Sequence, residues 1–94
     1  MRANDFLTAI VIPTVTSEYE GIFLQEKETY IPLERIDIRD HKLIFQFKKH
    51  AKQLPMKEIY TKLMIHKTFQ LVYLYEDVLT PVYGFHQLEN KLIL

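Results

Sequence analysis

The side chains able to do acid, base or ligand chemistry in this chain are four histidines, 12 carboxylates and 12 Lys and Arg residues. His41, His50, His66 and His86 carry imidazoles that titrate near neutrality and can bind metals. No two stand four residues apart, and no His-Glu-x-x-His spacing puts a pair on one helical face. No metal or other cofactor is expected. Acid–base catalysis needs carboxylates or imidazoles brought together in a dry cleft. Here the carboxylates fall mainly at expected turns (Glu26, Glu28, Asp40, Glu76, Asp77, Glu89) or at outward strand positions (Glu34, Asp37), where water solvates them. One pairing the chain permits is His86 with Glu76 or Asp77 across a terminal hairpin. Ser17 is the sole serine and lies outside any nucleophile-elbow motif. The absence of cysteine removes disulfides, thiolate metal sites and cysteine nucleophiles together. Two glycines cannot build a glycine-rich phosphate loop.

Charge and aromatic placement say more than any catalytic motif. The formal net charge is zero, yet residues 1–30 carry two basic against five acidic side chains. Between Lys42 and Lys67 seven lysines face Glu58 alone, a balance of +6. Segregation of this kind makes a dipolar surface. Lys48, Lys49, Lys52, Lys57 and Lys62 are the candidate contacts, as point charges for phosphates or for an acidic protein face. Arginine, the residue suited to bidentate phosphate recognition, is absent from the stretch. The bland reading is that these lysines are the solvated side of a strand, a connector and a helix. Among the aromatics, Phe69, Tyr73 and Tyr75 share one strand parity and Tyr83 and Phe85 another. Tyr73, Tyr75 and Tyr83 are candidate stacking or protein-contact residues, while Phe69 and Phe85 are assigned to the core.

These side chains need elements to hold them. Phe6 to Ile12 is a nearly continuous apolar run ended by Pro13, which reads as a strand buried on both faces. Tyr19 to Gln25 reads as a second strand, turning at Glu26-Lys27 so that Ile22 meets Ile31 and Phe23 meets Tyr30. Pro32 marks an edge, a bulge or a break. Across Leu33 to Phe47, apolar residues alternate about Asp40-His41, pairing Ile38 with Leu43 and Ile36 with Phe45. Met56, Ile59, Tyr60, Leu63 and Met64 form one apolar stripe and predict a helix over Pro55 to His66. Phe69 to Tyr75 reads as a strand. Val82 to Leu88 is its expected antiparallel partner, and a turn at Glu89-Asn90 returns Leu92 to Leu94 as an edge strand. The core residues expected are Phe6, Ile10, Ile36, Ile38, Leu43, Phe45, Phe47, Ile59, Tyr60, Leu63, Leu71 and Val72.

The order is that of an α+β fold in a single domain spanning residues 1–94. It is an antiparallel sheet or small, partly open β-barrel of five to seven strands with one principal helix. With no apolar run of the roughly 18 residues a membrane span needs and no leader-like start, a cytoplasmic protein is expected. The composition leans on Lys, Ile and Tyr, as in AT-rich bacterial or phage genomes. Strands apolar on both faces point to a homodimer or larger assembly, joined through a sheet face or an edge such as Leu92 to Leu94. The leading functional expectation is a small non-catalytic protein-binding module, a regulatory, inhibitor or accessory subunit, showing its lysines to an acidic partner. The alternatives are a single-stranded nucleic-acid binder of the small-barrel type and a small enzyme using a histidine with a turn carboxylate.

Overall fold

The computed structural model describes residues 1–11 and 19–94. Helix α1 (Ala3–Val11) comes first, followed by β1 (Gly21–Glu26), β2 (Thr29–Arg39) and β3 (Lys42–Phe47). Helix α2 (Met56–Ile65) then leads into β4 (Gln70–Tyr75), β5 (Val78–Pro81), β6 (His86–Leu88) and β7 (Lys91–Ile93). The fold is α+β, with one seven-stranded sheet in the order β5-β4-β3-β2-β1-β7-β6, curled into a half-barrel. The sheet is mixed rather than purely antiparallel, because β3 runs parallel to β4 and β1 parallel to β7.

The β2–β3 hairpin has the register its alternation predicts, with Ile38 opposite Leu43 and Ile36 opposite Phe45. Asp40 and His41 both take positive φ (51° and 60°), as a two-residue turn matched to strand twist requires. Pro32 lies within β2, opposite Phe23, and the bulge comes just after it, between Leu33 and Arg35. The bulge bends β2, so that its first part pairs with β1 and its second with β3. The extra residue also resets the alternation, keeping Ile31, Leu33 and Ile36 all buried on one face. The β1–β2 turn falls at Lys27-Glu28 instead of Glu26-Lys27, so Leu24 meets Ile31 and Phe23 meets Pro32. That two-residue slip preserves which side chains face inward.

Helix α2 matches its predicted stripe: Ile59 and Leu63 are fully buried, and extended Pro55 (φ −62°, ψ 145°) stands at the N-cap. Met64, at the margin of the stripe, is exposed, and Tyr60 is half-buried. Residues 6–11 form part of a helix, not a strand. Their true period starts at Ala3, whose Cβ joins Phe6, Leu7 and Ile10 on one face; Ile12 lies outside the described residues. The backbone of the β4 entry completes this helix. The Ala3 N–H donates to the Phe69 carbonyl and the Asn4 N–H to the Lys67 carbonyl, both at 2.8 Å, satisfying two amides that a helix leaves unpaired.

The C-terminal third departs furthest from expectation. Chain reversal after β4 takes only Glu76-Asp77, again both at positive φ, and the partner strand is Val78–Pro81 rather than Val82 to Leu88. The segment after Pro81 leaves the hairpin, and His86–Leu88 pairs with β7 instead. Strand β7 is not an edge: it sits between β1 and β6, with Ile22 beside Leu92 and Phe23 beside Ile93. The edges are β5 and β6.

One buried cluster joins Phe6 and Ile10 of α1, Ile59 and Leu63 of α2, and Leu24, Ile31, Phe45, Leu71 and Leu92 from five strands. Both helices therefore cover the face to which those side chains point. Ile38 belongs to that face by parity but stays 45% exposed. On β2, strand β1 reaches only Thr29–Pro32, so no described strand flanks the far end of β2 on that side. No described helix is long and apolar enough to cross a membrane.

Candidate functional site

The curl of the sheet brings together two hairpin ends that are distant in strand order. On β1, Ile22, Leu24 and Glu26 share inward parity; on β4, Leu71, Tyr73 and Tyr75 do. Strands β1 and β4 are three strand spacings apart, about 14 Å in a flat sheet. The Tyr75 hydroxyl nevertheless donates to Glu26 Oε2 at 3.2 Å. Between the two hairpins opens a solvent-facing cleft of about 390 Å³, lined by Leu24, Gln25, Glu26, Tyr73, Tyr75, Glu76, Val78, Thr80 and Leu94. The ring of Tyr73 stands edge-on to Phe47, 5.8 Å between centroids, which ties the cleft floor to the core.

Glu26 is the hub. Its second oxygen, Oε1, receives Lys49 Nζ at 3.1 Å, so one carboxylate joins the basic connector to the tyrosine-lined cleft. Hydrogen bonding from Lys49 pulls the Glu26 carboxyl below its ordinary value, and the same contact raises Lys49. Tyr75 is raised, first by partial desolvation and then by the neighbouring carboxylates of Glu76 and Glu26. Its hydroxyl is a neutral donor to Glu26. Glu26 was assigned to a solvated turn by sequence. Its inward parity with Ile22 and Leu24 was the signal that marked it.

The connector carrying the lysines is pinned by backbone contacts along the bend of β2. The Lys48 N–H donates to the Pro32 carbonyl (3.2 Å) and the Leu54 N–H to the Leu33 carbonyl (2.8 Å). Gln53 Nε2 donates to the Glu20 carbonyl at 3.2 Å, holding the connector against the start of β1. Lys48, Lys52 and Lys57 are exposed, and Lys62 is half-buried in the last turn of α2. None of these four forms an ion pair with a described residue, whereas Lys49 does.

The structure brings Tyr73, Tyr75 and Lys49 together and leaves Tyr83 apart, 83% exposed in the segment after β5. Phe85 packs on Phe6 at 5.0 Å, and Phe69 lies between the rings of His41 (5.1 Å) and His66 (4.7 Å). The hairpin that was to carry His86 to Glu76 or Asp77 does not form. His86 is exposed on β6, at the opposite end of the strand order from the β4–β5 turn. Among the described residues no group of three or more His, Asp or Glu side chains is placed to hold a metal ion. Comparison with protein-family models, curated proteins and solved structures finds no match to this chain.

Proposed function

We propose that this chain is a small non-catalytic protein-binding module, a regulatory, inhibitor or accessory subunit acting in the cytoplasm, whose lysine-bearing connector and helix α2 receive an acidic protein partner. The observation that carries this reading is that Lys48, Lys52, Lys57 and Lys62 stand on consecutive, backbone-anchored segments without an ion pair to any described residue. Four cations on adjoining elements raise the encounter rate with an anionic surface even where each contact adds little affinity. The tyrosine cleft weighs against the nucleic-acid alternative, because Glu26 and Glu76 on its rim repel the phosphates of any strand stacked on Tyr73 or Tyr75.

Self-association belongs to the same reading. Ile44, Leu74 and Leu79 lie on the face of the sheet turned away from the helices, Ile44 and Leu74 half-buried and Leu79 52% exposed on edge strand β5. A second copy on that face covers them.

The test is to replace Lys48, Lys52, Lys57 and Lys62 by Glu, confirm the fold by circular dichroism, and measure affinity for the protein's physiological partner at two salt concentrations. The parent is expected to lose affinity steeply with salt, since exposed charges are screened beyond about 8 Å at physiological ionic strength. The variant is expected to lose both the affinity and the salt dependence. A folded variant with unchanged affinity and salt slope makes the basic stretch a solvated face only.

A further inference from the structure

The cleft has a charge signature opposite to that of the connector, and the proposed lysine face does not use it. Of the residues that line it, Glu26 at the end of β1 and Glu76 in the β4–β5 turn are the two with charged side chains, and both are carboxylates. Lys49 already shows what this rim recognises: an ammonium donated to Glu26 beside the hydroxyl of Tyr75. Glu76, which also lines the cleft, has no ion-pair partner among the described residues and is exposed. Below the carboxylates the lining turns apolar and aromatic, with Leu24, Val78, Tyr73 and Tyr75.

We propose that this cleft seats a lysine or arginine side chain of a protein partner, its alkyl stem against Leu24 and Val78, the rings of Tyr73 and Tyr75 alongside, and its cation between Glu26 and Glu76. Long basic side chains have this division, an apolar stem with a charged head that stays near water. An aromatic face beside a carboxylate adds cation–π attraction to the ion pair. The opening is too exposed to enclose a small molecule, but a side chain presented by a partner backbone does not need enclosure. The site stands on a different surface chemistry from the lysine face and goes beyond that reading.

A capped peptide carrying one arginine between two leucines serves as the probe, with the same peptide carrying citrulline, the neutral isostere, as control. Both are titrated into the isotopically labelled full chain to about 10 mM, in the range where single-anchor contacts of a few kcal/mol register. The arginine peptide is expected to shift the amide resonances of Tyr73, Tyr75, Glu76 and Thr80. The citrulline peptide is expected to bind roughly fivefold more weakly, and Glu76→Gln to weaken the arginine peptide by a similar factor. Equal binding of the two peptides overturns the proposal, as does an absence of shifts or their location outside the cleft. The variant with Lys48, Lys52, Lys57 and Lys62 replaced by Glu keeps this binding, so failure of the lysine face and failure of the cleft are read separately.

Discussion

The sheet has two wings about the bent strand β2, and they repeat one pairing scheme. Moving outward from β2, each wing is antiparallel, then parallel, then antiparallel: β3, β4 and β5 on one side, β1, β7 and β6 on the other. They differ in how the parallel pair is joined. Residues 48–69 link β3 to β4, and the α2 helix within that link buries Ile59 and Leu63 in the common core. The link from β1 to β7 is residues 27–90, most of the molecule. The first wing is thus a largely local unit. In the second, β7 is only three residues long, held to β1 by buried Leu92 and Ile93 and by the ion pair of Lys91 with Glu20, and β6 beyond it is exposed throughout. Short, exposed segments with few buried contacts open first, which makes β6 and β7 the expected site of fraying.

The largest effect that sharpens this contrast comes from truncating each wing's buried anchor. Phe45→Ala removes a fully buried ring that meets Phe6 edge-to-face, and a loss of about 3–5 kcal/mol in denaturant unfolding is expected. Leu92→Ala also leaves a cavity at a fully buried position. Its loss is expected near the lower end of the usual range, about 2 kcal/mol, because β7 and β6 can detach while the rest stays folded. Hydrogen exchange reads the difference: faster exchange confined to β6 and β7 for Leu92→Ala, and everywhere for Phe45→Ala. Equal and global losses would make the two wings one cooperative unit.

A smaller effect comes from the turns, none of which uses glycine although Lys27, Asp40, His41, Glu76, Asp77 and Glu89 all take positive φ. Glycine relieves the Cβ crowding of that conformation. Asp77→Gly, in the turn of the locally closed wing, is expected to raise unfolding stability by about 1 kcal/mol. Glu89→Gly, in the turn of the fraying wing, is expected to slow exchange of β6 while moving the global midpoint by less than about 0.5 kcal/mol. A midpoint shift for Glu89→Gly as large as that for Asp77→Gly contradicts the ranking.

The smallest effect concerns the one contact that ties the wings together at the cleft. Glu26 is lowered by Lys49, so what the contact adds is fully present above the ordinary carboxyl value of 4.5 and is lost as pH falls through the lowered value. Lys49 is raised, so its share persists below 10.5 and fades only as pH climbs past that. Glu26→Gln is expected to change little at neutral pH, as exposed pairs do, and to flatten the acid limb of the stability profile below 4.5. An acid limb identical to the parent's would remove Glu26 as the link.

What the chain shows on its own follows the locality of the contacts. The hairpin register at Ile36, Ile38, Leu43 and Phe45 was legible because strict alternation and a two-residue turn leave one arrangement that buries both sets. Helix α2 was legible because Pro55 and a stripe from Met56 to Leu63 agree on its start and face. The shared parity of Tyr73 and Tyr75, and the lysines of the connector, were plain from order alone. Helix α1 was not, since a short apolar run satisfies strand and helix patterns alike and its first amides are completed by carbonyls more than sixty residues away. Strand β5 was hidden by Pro81 and by a turn without glycine or Asn-Gly. The placement of β7 beside β1 and the meeting of Tyr75, Glu26 and Lys49 were decided by tertiary structure alone. Both depend on the bulge in β2 and the curl it starts, which bring together side chains that no spacing in the chain relates.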